Sequence, residues 1–540
     1  MAIVENDARV LRRARSQRFR PVNGRQKQLQ ANWSAESSDE GNGVRLTVRS
    51  VLHRVAIRGD PANKTQPNAF SRDLLFCSIL SGMKLTVCLI AFGVLGLDLA
   101  AAGVQPCRIE VVEQGNGWPV PLVELRTTHH ARFVSDNAGN IAFDLPELMG
   151  REVWFDVHSP GYEVPADGFG KHGLRLQPEP GKTLRVEVKR TGIARRIGRL
   201  TGAGLFAESQ KLGLEGDWRE SGIVGQDTVQ NAVHRGRLYW FWGDTSVARY
   251  PLGIFDGTSA TTPLQPLATP HPPLRMRLDY FTNDSGVPRG IAPMPGKGPT
   301  WVTGVASVRD KSGTPRLVCA YMKIEPPLEV YEWGLAVWHD EKSVFEKLKT
   351  IWKKSDAAPK APPVPEGHPA LWKDPAGKEW LVFGNPLPTL RCPATFEAWQ
   401  DVNSWEVLKP QASLRGSNGE TVKPHSGSIA WHPWRKRWVT VFMQRFGNPS
   451  AFGELWYAEA DEPTGPWGTT VKVLSHDNYT FYNPRLHVEF TPEGSSSLFF
   501  EGTYTMQFAN KPAPTPRYDY NQILYRLDLD DAALKPAQSR

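Results

Sequence analysis

Residues 230–244 read QNAVHRGRLYWFWGD: a short strand, a tight turn at Arg235-Gly236, then an aromatic strand ending at Gly243-Asp244. The same unit returns four times. It is ASVRDKSGTPRLVCAY at 306–321, ALWKDPAGKEWLVFG at 370–384, IAWHPWRKRWVTVFM at 429–443 and HVEFTPEGSSSLFFEGTY at 487–504. A further strand follows each of the first four, as at 334–339 and 454–460, and 521–529 supplies a last one. No long amphipathic helix interrupts the series. Repetition of a strand–turn–strand–strand unit is the mark of a propeller blade. The fold class expected is all-β: a five-bladed β-propeller over 202–535. An array of β-sandwiches is the rival, and the regular unit argues against it.

Upstream, CRIEVVE, VPLVELRTT, ARFVSD, NIAFDL, VWFDVHS and LRVEVKR place apolar residues at alternate positions between turn residues. Period-two strands at this spacing predict a small β-sandwich over 105–190. Ser135-Asp136-Asn137-Ala138-Gly139-Asn140, followed by Ile141-Ala142-Phe143 and later by His158-Ser159-Pro160-Gly161-Tyr162, resembles the transthyretin-like or carboxypeptidase-regulatory β-sandwich. The resemblance implies an accessory module without catalysis. His129 and His130 are adjacent on a strand and so point to opposite faces, which argues against a metal pair. The Arg- and Gly-rich stretch 190–204 reads as a linker.

Of the net charge of +8, +7 is carried by residues 1–82, with 14 basic and 7 acidic side chains. From residue 103 onward 49 basic residues face 48 acidic ones, so the globular part offers no electrostatic footprint for nucleic acid. Residues 1–82 lack any sustained period and read as a disordered basic extension. Residues 83–102, MKLTVCLIAFGVLGLDLAAA, have a basic start, an apolar run and an A-x-A pattern, the anatomy of a secretory signal peptide. The run of about 13 apolar residues is too short to span a bilayer core of roughly 30 Å. The expectation is that translation begins at Met83 and the product is secreted or periplasmic, with no membrane association after cleavage. A buried helix, or an anchor behind a basic tail, are the alternatives. The five cysteines form no CxxC or zinc spacing. Cys107, Cys319 and Cys392 leave both one disulfide and three thiols open.

A propeller gathers the entries of its inner strands around one axis, so polar residues there are site candidates. The entries are 225–228, 301–304, 366–369, 423–428 and 481–485. Gln226-Asp227-Thr228-Val229 before the aromatic strand, Glu366-Gly367-His368-Pro369 before Trp380-Leu381-Val382-Phe383, and Ala458-Glu459-Ala460-Asp461-Glu462-Pro463-Thr464-Gly465-Pro466-Trp467 resemble phrases of the five-bladed glycosidases, above all glycoside hydrolase family 43. The resemblance implies a catalytic pair, Asp227 as base and Glu366 as acid. Inverting hydrolysis needs such a pair, a protonated acid and a carboxylate about 6.5–9.5 Å apart. The family's second Asp has no counterpart in Trp301-Val302-Thr303-Gly304-Val305. A family convention places a blade-four histidine, here His425, near a central ion or water. Trp301, His425, Tyr482, Asn483 and Arg485 are the substrate-binding candidates, with Trp218 a further stacking face. Asp244, Glu420 and Glu501 are spare carboxylates, Glu420 within reach of the funnel and Glu501 bonded inside its blade. No cofactor is implied beyond a single axial Ca2+ or other ion. The partner expected is a polysaccharide or oligosaccharide, bound by a monomer. A non-catalytic carbohydrate-binding propeller is the second reading and a scaffold without a glycan ligand the third. Phosphate-loop, serine-hydrolase-elbow and zincin motifs do not occur.

Overall fold

The computed structural model describes residues 105–254, 257–264, 270–509 and 513–538. The basic extension and the signal-peptide stretch lie outside the described residues. The described part is all-β, with short helices such as Ala207–Lys211 and Phe396–Gln400.

Residues 107–190 form two four-stranded sheets. One holds Asn140–Phe143, Cys107–Glu113, Thr183–Arg190 and Tyr162–Glu163; the other holds Arg132–Val134, Glu124–Thr127, Val153–His158 and Gly173–Leu176. Alternation does the work: along Val153–His158 every second side chain is buried. Ile109, Val111, Leu125, Phe143, Phe155 and Val186 pack into one core between the sheets.

Five more four-stranded antiparallel sheets follow. Sheet I is Val229–His234, Arg237–Trp242, Ser259–Pro263 and Asp279–Tyr280. Sheet II is Thr300–Arg309, Pro315–Glu325, Glu329–His339 and Val344–Lys353. Sheet III is Ala370–Lys373, Glu379–Gly384, Pro388–Pro393 and Glu406–Val407. Sheet IV is Pro424–His432, Arg437–Gln444, Leu455–Ala460 and Val471–Leu474. Sheet V is Thr480–Leu486, Ser497–Thr505 and Asn521–Asp528, with a fourth strand, Arg195–Arg199, taken from the stretch that reads as a linker. The turn opening sheet I is a two-residue hairpin with Arg235 at φ +47° and Gly236 at φ +75°, the primed geometry that matches strand twist.

Hydrogen bonds join the five sheets in sequence and then return to the start. His234 Nδ1 and Ser307 Oγ lie 2.8 Å apart between sheets I and II. Gly304 N donates to Gly367 O at 3.0 Å between II and III. Gly427 N donates to Asn385 Oδ1 at 2.9 Å between III and IV. Leu486 N donates to Ser428 Oγ at 2.7 Å between IV and V, and Arg485 Nε to Asn231 Oδ1 at 2.8 Å between V and I.

The two-sheet unit is fastened to sheet V through buried arginine. Arg196, 1% exposed, donates to Tyr525 Oη at 3.1 Å, to Pro121 O at 2.9 Å and to Ser159 Oγ at 2.9 Å. Asn137 exchanges hydrogen bonds with Arg199 on both sides of its amide, at 2.9 Å each. The hairpin that the sequence marks by Asp136-Asn137 is therefore also the docking contact. Cys107, Cys319 and Cys392 are three buried free thiols, which settles the choice left open between a disulfide and thiols.

Candidate functional site

The first strands of sheets II, IV and V each carry a register shift at their entry, between Thr303 and Ala306, Pro424 and Gly427, and Tyr482 and Arg485. Bulges of this kind re-aim side chains. Sheet III reaches the same end through Gly367, at φ +83°, where a Cβ would stand 1.9 Å from Gly384 O. Only glycine fits there. Glu366, just before it, is thereby fixed in direction. Gly367 N also donates to Thr303 Oγ1 at 2.9 Å, so a hydroxyl of sheet II holds the base of the Glu366 loop. In sheet V, Asn483 takes up the left-handed conformation at φ +53°. That kink turns Tyr482 toward sheet I.

Asp227 is 6% exposed. Its Oδ1 accepts from Thr228 N at 2.6 Å, from Thr228 Oγ1 at 2.7 Å and from the Tyr482 hydroxyl. Tyr520 lies close enough to feel the same carboxylate. Burial first, and the negative charge of Asp227 second, push both phenols well above the usual tyrosine range. Both therefore stay protonated, and Tyr482 serves as a donor. Asp227 N donates to Asp244 O at 2.9 Å, and the Asp244 carboxylate accepts from Trp301 Nε1 at 2.9 Å. The Asp244 charge is felt at both tyrosines.

Glu366 differs in kind. Its side chain is exposed, yet protein crowds around it, and this desolvation raises its carboxyl above the usual range. A carboxyl whose pKa is raised in this way suits a proton donor. His368, two residues on, is buried. Burial first, then the positive charges of Arg485 and His487, hold it far below the ordinary imidazole range, so it is neutral.

The remaining candidates divide. Asn483 Nδ2 donates to Thr228 Oγ1 at 2.7 Å, tying sheet V to the residue after Asp227. Arg485 is committed to Asn231 and to Leu486 O. His425 is 8% exposed, packs on Phe452 at 5.2 Å, and is lowered to about 3 by burial and then by Arg445. Trp301, Tyr482 and Asn483 thus gather around Asp227, whereas His425 sits in packed surroundings. Trp218 packs on Phe206 at 4.9 Å beneath Arg275, away from the strand entries. Glu420 closes a hairpin against Asn418, and its neighbour Gly416 bridges to Thr470 beside the outermost strand of sheet IV. That position does not face the entries, contrary to the expectation from sequence. Glu501 bonds His487 at 2.7 Å inside sheet V. Among the described residues no three His, Cys, Asp or Glu side chains are placed to hold a metal ion, so the expectation of an axial ion rests on His425 alone.

Tyr520, Asp244 and His368 join these candidates around the strand entries. Tyr520 lies immediately before the last strand, in Tyr518-Asp519-Tyr520-Asn521, a polar–aromatic phrase at a strand entry that was a readable signal.

No family model and no curated protein matches the chain. Solved structures similar to it include an exo-1,5-α-L-arabinanase from a bovine ruminal metagenomic library, 12% identical, covering 57% of this chain and 94% of its own, at a TM-score of 0.35. A family 43 endo-arabinanase from Bacillus licheniformis is 11% identical over 56% of this chain and 93% of its own, at 0.31. An N-acetylgalactosamine deacetylase from F. plautii, in complex with blood group B trisaccharide, is 11% identical over 59% and 94%, at 0.33. Likeness at this level assigns neither activity nor substrate.

Proposed function

We propose that the chain is a glycoside hydrolase acting on a polysaccharide, in which the five sheets are the blades of a five-bladed β-propeller and residues 105–190 an accessory β-sandwich. One observation carries the reading. Two carboxyl groups of opposite character, the hydrogen-bonded Asp227 and the accessible, desolvated Glu366, enter from strand ends on one side of the ring of sheets. Glu366 protonates the leaving oxygen as general acid. Asp227, with Oδ1 occupied by donors, uses Oδ2 to take a proton from the attacking water. Tyr482 orients that carboxylate, with Tyr520 close by. Trp301, held by Asp244, presents an indole face beside it. The 301–305 entry offers no carboxylate beside Glu366, and crowding rather than a neighbouring negative charge raises the acid.

General acid and base groups each contribute about 10²–10⁴ in rate. Asp227→Asn and Glu366→Gln should lower turnover of arabinan, xylan or sulfated galactan by that factor, with the fold unchanged by circular dichroism. Equal rates in wild type and Asp227→Asn reject the assignment.

The low exposure of Asp227 favours one second reading, a propeller that binds a glycan without cutting it. It predicts glycan affinity that survives both substitutions and no product from any substrate. We further propose that residues 83–102 are a signal peptide. N-terminal sequencing of the native protein tests this, and peptides from residues 1–80 would reject it.

A further inference from the structure

A trough of about 490 Å³ runs between sheets III and IV at the strand ends opposite the entries. On the first strand of sheet IV, Trp431 follows His425 by six residues, which is about 20 Å at roughly 3.3 Å per residue. The trough and the candidate site thus lie on opposite faces of the ring. Its volume falls in the range of small-ligand sites.

Its lining combines aromatic wall and acidic rim. Trp431 is 43% exposed and Leu371 60%, both large apolar side chains left open to solvent. Trp438, 4% exposed, stands edge-on to Trp431 at 6.1 Å and fixes its plane. Around them lie Asp374, Glu379, Asp461 and Glu462, with Lys373 the one cation of the lining. Asp374 is held by Trp380 Nε1 at 2.9 Å and Asp461 by Arg437. The carboxylates of Glu379 and Glu462 have no such partner among the described residues.

We propose that this trough is a second, non-catalytic binding site for a neutral saccharide chain. An indole face exposed within a hollow takes the C–H face of a sugar ring, since Trp pairs a large apolar face with low conformational cost. Carboxylates are acceptors only, so they suit hydroxyl donors. Four carboxylates still outnumber Lys373, Arg437 on Asp461 and Lys378 near Asp374, and that excess disfavours a sulfated or uronic polymer. A chain held here keeps the protein on an insoluble polymer while the opposite face stays free. The inference rests on the carbohydrate reading above but not on catalysis by Asp227 or Glu366.

Affinity electrophoresis in gels containing neutral arabinan, xylan or galactan, and in parallel a sulfated galactan, tests it. Wild type and Asp227→Asn should be retarded equally by a neutral polymer and not by the sulfated one. Trp431→Ala should lose retardation at least about tenfold, as for an aromatic anchor, with Trp431→Tyr restoring part of it. Hydrolysis of short soluble substrates should be the same in Trp431→Ala as in wild type. Retardation unchanged in Trp431→Ala overturns the proposal, and so does quenching of the exposed tryptophan by a lysine-rich peptide but by no polysaccharide. If wild type cleaves nothing while Trp431→Ala still loses polymer binding, the hydrolase reading fails and the second site stands.

Discussion

His487 is the most informative single position for stability. Its ring is fully buried, with Nδ1 2.7 Å from Glu489 Oε1 and Nε2 2.7 Å from Glu501 Oε1. Trp240 of sheet I lies 5.3 Å away and Phe490 is stacked on it at 4.7 Å, so the pair of ionic contacts sits at the seam between sheets V and I. Burial pushes the imidazole down, but the two carboxylates outweigh it and leave His487 above its usual 6.5. For Glu489, burial pushes up, and the His487 charge outweighs that and leaves it below its usual 4.5. The signs then follow from linkage. The His487 contribution is fully present below pH 6.5 and fades as pH rises through the higher folded value. The Glu489 contribution is present above 4.5 and fades as pH falls. The triad is worth most between about pH 4.5 and 6.5. His487→Gln keeps one donor but removes the charge between two buried carboxylates. Removing one partner of a buried pair costs about 3–5 kcal/mol. Urea unfolding followed by tryptophan fluorescence at pH 5.5, 7.0 and 8.5 should show that loss at pH 5.5 and a smaller gap between wild type and variant at pH 8.5. A loss below about 1 kcal/mol, or a gap that stays level or widens toward pH 8.5, refutes the reasoning.

Two further substitutions probe the scaffold. Gly367→Ala should abolish activity and lower stability, because its Cβ would meet Gly384 O at 1.9 Å, while Gly377→Ala, at a similar φ of +84° but with nothing nearer than 3.9 Å, should cost only about 1–2 kcal/mol; equal effects in a melting assay would contradict this. Arg196→Met strands Pro121 O and the Ser159 hydroxyl at about 1–3 kcal/mol each, so limited proteolysis between residues 190 and 205 should accelerate. A cleavage rate like that of wild type would show that Arg196 does not fasten the two-sheet unit.

The strands most legible in the sequence are those whose two faces meet different surroundings or whose aromatic residues are dense. Arg237–Trp242 and Ser497–Thr505 carry such signals. Arg195–Arg199 does not. Its sequence RRIGR looks like a solvated linker, and four of its five residues are buried because it lies between the two-sheet unit, which holds Arg196, and the core of sheets I and V, where Ile197 packs. Local pattern cannot anticipate a partner made elsewhere in the chain. The site divides the same way. Asp227 and Glu366 were readable as carboxylates at strand entries. The grip of Tyr482 on Asp227 depends on the left-handed turn at Asn483, and the approach of Tyr520 on a segment far away in sequence. The placement of Glu420 is not legible in sequence, because a polar loop before a strand does not reveal which way its hairpin folds back.

The pairing of Arg195–Arg199 with Asn521–Asp528 has a consequence during synthesis. The early strand leaves the ribosome long before its mate exists, and an unpaired edge invites mispairing. Its anchors, Pro121 and Ser159, are by then already made. The two-sheet unit can therefore hold this strand like one half of a clasp, presenting it until the final strand emerges and snaps the circle shut.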